Sequence, residues 1–213
     1  MDRAEEIADV GAAVRAVLDD KHQAREITLR ASRETIQASA ASIRATQRGE
    51  FDRAEALADE AAAHVARADE AVAAHLDVRH GGYLHDAKKE YAEARITLAF
   101  VRGDALPMPA DLGVEPPAYL NGLAEAASEL RRHILDCLRA DELDRAETLL
   151  GTMDDVYGLL VTIDYPDALT GGLRRTTDAL RAVIERTRGD LTNALVAARL
   201  RAAIASADGS SKS

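Results

Sequence analysis

Lys89-Glu90-Tyr91-Ala92-Glu93-Ala94 and Leu123-Ala124-Glu125-Ala126-Ala127-Ser128-Glu129-Leu130 are the two segments on which the reading of this chain turns, because each places two glutamates one helical turn apart. Residues three or four apart project from the same side of a helix, so each pair presents two carboxylates together. Two such helices side by side make a four-carboxylate cluster of Glu90, Glu93, Glu125 and Glu129. That cluster repels itself unless a proton or a divalent cation compensates, and oxygen-only ligand sets are what Mg²⁺ and Mn²⁺ prefer.

The two pairs have different surroundings. In the second segment Tyr119, Leu123, Leu130, Ile134 and Cys137 fall on one stripe, with Glu125, Glu129, Arg132 and Asp136 opposite, which is also the pattern of an ordinary solvated face. In the first, Leu84, Ala87, Tyr91, Ala94, Leu98 and Val101 form the main stripe, and Ile96 and Phe100 add a second apolar patch beyond Glu93. Tyr91 is therefore read as core. A carboxylate beside such a patch is desolvated, which raises its pKa unless a cation is near. Exposed helical glutamates are common, so spacing alone leaves the surface reading open for both pairs.

Outward from these segments the chain keeps one character. Aromatic residues are 3% of its 213 positions, tryptophan is absent, and the composition is one of helix formers. The five prolines sit in two connections, Pro107, Pro109, Pro116 and Pro117 in one and Pro166 in the other, which leaves long segments free of breakers. Periodicity and stop signals predict helices over about 2–48, 51–75, 83–102, 117–139, 144–163, 173–188 and 190–205. Ile7, Val10, Val14, Val17 and Leu18 form the stripe of the first. The fold class is all-α, an antiparallel bundle of seven helices in a single domain over 1–207, with a disordered tail at 208–213. The similar runs Gly49-Glu-Phe-Asp-Arg-Ala-Glu and Asp141-Glu-Leu-Asp-Arg-Ala-Glu do not recur at a repeat period, so they read as two helix starts and not as a solenoid.

Net charge is -10, and lysine occurs only at positions 21, 88, 89 and 212. Acidic, lysine-poor, alanine-rich composition points to a salt-adapted cytoplasm. Net acidity ordinarily argues against nucleic-acid binding, but at molar salt the Debye length shrinks to about 3 Å and only local contacts count. No apolar run approaches the roughly 20 residues that cross a bilayer, so no membrane partner is expected. Met-Asp-Arg-Ala-Glu-Glu at the start lacks the order of a secretory signal. Cys137, alone on an apolar stripe, reads as a buried thiol and not as a nucleophile.

Three stretches carry a resemblance. Arg25-Glu-Ile-Thr-Leu-Arg-Ala-Ser-Arg-Glu-Thr-Ile-Gln, then Lys89-Glu-Tyr-Ala-Glu-Ala, then Tyr119-Leu-Asn-Gly-Leu-Ala-Glu-Ala-Ala-Ser-Glu-Leu-Arg-Arg resemble, in order and spacing, the translin superfamily and particularly its translin-associated factor X (TRAX) branch. The resemblance implies a seven-helix protein that assembles into a hollow homo-octamer and binds single-stranded RNA or DNA. The TRAX branch implies a metal-dependent endoribonuclease with acids of two helices facing the internal cavity. Position by position these fall on Glu90, Glu93, Glu125 and Glu129, as catalytic residues and as ligands of Mg²⁺ or Mn²⁺. The translin branch lacks the first pair, so Glu90 and Glu93 point to the catalytic branch. Where the family pattern has aspartate this chain has Glu125, whose longer arm moves the ligating oxygen by about one methylene.

On this reading Mg²⁺ held by the four glutamates promotes hydrolysis of an RNA phosphodiester, with Glu93 as general base. Cations hold the substrate backbone, and the candidates are Arg79, His80, Lys88, Lys89, Arg131 and Arg132. Two other readings compete. One is a translin-like shell that binds nucleic acid without cutting it, and the other is a helical assembly protein whose carboxylates are simply surface.

Overall fold

Among the described residues of this computed structural model, 2–79 and 81–210 with side chains to 206, every regular element is a helix. The order is α1 (Arg3–Gln47), α2 (Phe51–Ala71), α3 (Leu76–Arg79), α4 (Gly82–Arg102), α5 (Pro109–Leu112), α6 (Pro116–Arg139), α7 (Leu143–Leu160), α8 (Asp167–Thr170) and α9 (Leu173–Ser210). Local chemistry sets the ends. Asp2 and Glu5 form a reciprocal capping box at the start of α1. Gly103, at φ +76°, closes α4 in the left-handed conformation that glycine adopts without strain. Pro116 and Pro117 occupy the first turn of α6, where a missing N–H costs nothing.

α1 and α2 run antiparallel, Ser42 meeting Ala54 and Glu34 meeting Arg67, whereas α6 and α9 run in the same direction, Asn121 meeting Thr176 and Arg131 meeting Asp190; α4 and α6 are the central pair. α4 packs on α1, α2 and α6, and α6 packs on α4, α7 and α9. The apolar stripe read on α6 is buried throughout, from Tyr119 to Cys137. It meets Met153 of α7 and Leu180, Ile184 and Leu191 of α9 in one core. Cys137 is a free, buried thiol in that core. α4 is covered on both of its apolar sides, with Tyr91, Leu98 and Ile96 buried.

Against α4, the second half of α1 contributes small residues instead of bulk. Ala24, Thr28, Ala31, Ser32, Thr35, Ala38, Ser39 and Ser42 are buried there. Thr28 and Thr35 donate their hydroxyls to carbonyls one turn back, at 2.7 and 2.9 Å. Ser42 crosses to the Ala54 carbonyl of α2 at 2.7 Å. Hydroxyls satisfied in this way can be buried at little cost.

Several expectations are corrected. The segments read as sixth and seventh helices are one, α9, because Gly189 keeps helical backbone and Leu180, Ile184 and Leu191 pin both sides of it to the core. A lone glycine costs a helix only about 1 kcal/mol relative to alanine, which that burial exceeds. Three one-turn helices, α3, α5 and α8, lie in connections read as irregular. The tail expected from 208 is still helix at Ser210, and 211–213 lie outside the described residues. The stripe of Ile7, Val10, Val14, Val17 and Leu18 does not meet the core, since each of these side chains is between 52% and 65% exposed. No helix among the described residues is long and apolar enough to cross a membrane.

Candidate metal centre

The site is made by how closely α4 and α6 approach. At Gly122 of α6 an added Cβ would lie 2.7 Å from the Lys89 carbonyl oxygen and 3.0 Å from the Glu93 nitrogen. Ala92 and Ala126, fully buried nearby, are equally small. Helices whose facing residues lack bulk can bring their backbones together. As a result Glu90 and Glu93 of α4 stand across from Glu125 of α6, with one carboxylate oxygen from each within 4.8 Å of the others.

Glu93 is the innermost. It is 8% exposed. Burial, followed by the charges of Glu90, Glu125 and Glu129 and a hydrogen bond with Glu125, pushes its carboxyl up to about 9. Desolvation is the first cause, as the apolar patch of Ile96 and Phe100 predicts. Below that value Glu93 carries a proton. One of the two compensations that a carboxylate cluster requires is therefore already in place.

Lys89 supplies further compensation. Its ammonium donates to both carboxylate oxygens of Glu125, at 2.9 and 2.7 Å, and lies 3.2 Å from Glu90. Burial pulls this ammonium down, but the hydrogen bonds and charges of Glu125 and Glu90 outweigh it, so Lys89 is held above the ordinary lysine value.

Glu129 stands one turn beyond the group. Its charge acts on Glu93, but its oxygens are not among those within 4.8 Å, and Gln47 of α1 donates a hydrogen bond to it. The expected four-carboxylate cluster is thus three carboxylates with a fourth held beside them. Nothing in the sequence pointed to Gln47, which α1 brings in from 82 positions away. Gly122 did leave a signal, as a glycine inside a strongly helical pattern.

The proposed backbone-holding cations do not form one surface. The reading of Lys88 as a phosphate contact is corrected by its burial. Its side chain is 2% exposed, and its ammonium lies 2.9 Å from Asp69 and 3.0 Å from Glu115. Arg79 also leans on Glu115, at 3.8 Å. Burial pushes the Glu115 carboxyl up, but backbone and Lys88 hydrogen bonds with the Lys88 and Arg79 charges hold it below its usual range. Arg131 ties α6 to α9 through Thr187 at 3.1 Å and Asp190 at 2.8 Å. Lys89 is engaged as described, Arg132 is exposed, and His80 lies outside the described residues.

The donor set fits a small hard cation. Carboxylate oxygens are what Mg²⁺ and Mn²⁺ take, and oxygens about 2.1 Å from an ion can stand about 4.2 Å apart across it. Oxygens already within 4.8 Å of one another reach such a shell with small side-chain rotations. No histidine belongs to the group among the described residues, and a nitrogen- and sulfur-seeking ion such as Zn²⁺ is not what this arrangement suits.

No family model matches the chain. Solved structures do. That of AfC3PO in complex with duplex RNA is 33% identical, covering 87% of this chain and 96% of that one at a TM-score of 0.77. The chain belongs to the translin/C3PO family. A crystal structure of AfC3PO gives the same identity at a TM-score of 0.76, over 87% of this chain and 97% of that one. Apo-NeC3PO, 18% identical over 88% of this chain and 96% of its own, shares the family fold at a TM-score of 0.72. An uncharacterized protein of Methanocaldococcus jannaschii is 32% identical over 122 residues, which are 56% of this chain and 54% of that protein, so the match spans about half of each.

Proposed function

We propose that this translin/C3PO-family chain is a metal-dependent endoribonuclease of the TRAX-like branch, from a salt-adapted cytoplasm, cutting RNA as one helical domain inside a hollow homo-octamer. The observation that carries the reading is the convergence of Glu90, Glu93 and Glu125 from two helices, with Glu93 buried among like charges. Natural cores do not keep such an arrangement for stability, because each buried carboxylate raises the cost of the next. A carboxyl strongly shifted by burial and by specific charged neighbours, as Glu93 is, is a candidate for function.

Glu90, Glu93 and Glu125 would hold Mg²⁺ or Mn²⁺, with Glu129 positioned by Gln47 at the edge. When bound, the cation supplies activation of a water and neutralisation of charge on the phosphate. The chain's own part is orientation and proton handling. Glu93 keeps a proton at neutral pH in the metal-free protein; once its neighbours' charges are compensated it would release that proton to solvent, and the carboxylate so formed would accept one from an attacking water. Of the candidate cations among the described residues, Arg132, exposed one turn beyond Ser128 on α6, is the one left available to a phosphate backbone.

AfC3PO was solved with duplex RNA, which supports RNA as the ligand class here. Single-stranded RNA is the proposed substrate, with single-stranded DNA a ligand at most. Assembly is supported by the uncovered stripe of Ile7, Val10, Val14, Val17 and Leu18 on α1, and by Val196, Leu200 and Ile204, between 54% and 61% exposed on α9. Apolar faces of this extent are normally covered.

A binding shell without catalysis is the second reading. It is favoured by the engagement of Lys88, Lys89 and Arg131 with carboxylates, which leaves little cationic surface around the cluster. The test is cleavage of labelled single-stranded and duplex RNA in high salt with Mg²⁺, Mn²⁺ or EDTA, beside a Glu90→Gln, Glu93→Gln double variant. Metal-dependent cleavage lost in the variant supports the nuclease. Retention of RNA without cleavage by either protein makes the binding shell the function, with Glu125 the first residue to restore to aspartate.

A further inference from the structure

Lys89 sits where a metal ligand set would have to open. Its ammonium takes both oxygens of Glu125 and one of Glu90, two of the three residues whose oxygens converge. The ammonium stands 2.7–3.2 Å from these oxygens, and an ion about 2.1 Å from the same oxygens would lie close enough to repel it strongly. Loading the site therefore favours Lys89 leaving Glu125.

The residue type suits displacement. Lysine occurs at only four positions in a chain whose lysines and arginines total 27, so arginine is its usual cation. An arginine here would grip Glu125 through a rigid, two-pronged fork, whereas lysine presents a single point charge on a flexible stem. The Lys89 backbone is fixed by the approach of Gly122 to its carbonyl oxygen, and its side chain keeps 21% of its surface in solvent. The stem can swing while the helix stays. Lys88 cannot take over the position, being enclosed by Asp69 and Glu115.

We propose that Lys89 is a resident counter-ion of the carboxylate cluster, which a divalent cation displaces from Glu125, so that this side chain sets how much Mg²⁺ or Mn²⁺ the site requires. The inference rests on the metal reading above and adds to it a residue that opposes loading. A divalent ion wins by its doubled charge at shorter range, but only above a concentration that Lys89 determines. The freed ammonium stays tethered one residue before Glu90.

The experiment is Mn²⁺ binding to the full-length protein, by titration calorimetry and by loss of the free-ion electron paramagnetic resonance signal, for wild type, Lys89→Met, Lys89→Gln and Lys89→Arg. Both neutral variants are expected to bind Mn²⁺ about tenfold more tightly than wild type, the effect of removing one competing ion pair. Lys89→Arg is expected to bind no more tightly than wild type. If wild type binds Mn²⁺ and folded neutral variants bind it equally or more weakly, the counter-ion role is overturned and the metal reading stands. If neither wild type nor folded variants bind Mn²⁺, the metal reading fails and the proposal falls with it. Lys89→Gln keeps a polar end, so loss of folding by Lys89→Met alone leaves the comparison intact.

Discussion

Gly122 of α6 lies directly beneath the Lys89 carbonyl of α4, and the 2.7 Å that would separate an added Cβ from that oxygen is closer than two such atoms can come. Gly122→Ala must therefore part the central helices. Overpacking of this kind costs about 1–3 kcal/mol, against about 1 kcal/mol gained in helix propensity. The expected net result is a less stable protein with weakened Mn²⁺ binding. Gly158→Ala is the control, since a Cβ there meets nothing within 4 Å and should stabilise by about 0.5–1 kcal/mol. Urea unfolding of both variants checks the contrast.

Glu93 makes metal-free stability fall as pH rises. Its carboxyl is raised from 4.5 to about 9 in the folded protein, so between those values the native state holds a proton that the unfolded chain has released. Stability from this group is complete below the ordinary glutamate range and is lost as pH climbs towards about 9, by at most about 1.4 kcal/mol per pH unit. Urea midpoints in EDTA between neutral pH and about 9 should slope downward, and Glu93→Gln should flatten that slope. Mn²⁺ binding at neutral pH should release about one proton from wild type and none from the variant.

Lys88 predicts a different failure. Removing it by Lys88→Met leaves Asp69 and Glu115 facing each other without their cation. The expected cost is about 3 kcal/mol, at the lower end for buried pairs because both acids keep part of their surface in water. Mn²⁺ affinity measured on the folded fraction should stay at the wild-type value. A change in RNA binding larger than the change in stability would return Lys88 to the substrate.

Much of the centre was legible because it depends on local spacing. The one-turn intervals of Glu90 with Glu93 and of Glu125 with Glu129 put carboxylates on single helix faces, and Ile96 and Phe100 announced the desolvation of Glu93. The buried stripe from Tyr119 to Cys137 followed from period alone. What stayed hidden depends on partners far along the chain. Asp69 and Glu115 bury Lys88 from two other elements, and Gln47 reaches Glu129 from α1. A charge in sequence is a free cation until its carboxylate is known, which is why the candidate phosphate contacts Arg79, Lys88, Lys89 and Arg131 prove to be in ion pairs. The pattern of Ile7, Val10, Val14, Val17 and Leu18 shows that some face of α1 is apolar and does not say which surface covers it. Gly189 illustrates the same limit, because packing on both sides carries the helix through it.

The 45 residues of α1, about 68 Å at 1.5 Å per residue, divide into an anchored half and an arm. From Ala24 onward the helix has the body of the protein beneath it, while the first half is exposed along nearly its whole length. Most helical stability in proteins comes from tertiary packing, which this exposed half lacks. The arm therefore inherits its helix from the anchored half and keeps it at the far end through the Asp2 and Glu5 cap. In an unassembled chain, order would spread outward from Ala24 and be lost inward from Asp2. Because the carboxylates lie on α4 and α6, such fraying does not reach them. Helix content and the integrity of the centre are thus separate quantities in this protein, and a melting curve followed by circular dichroism has two owners.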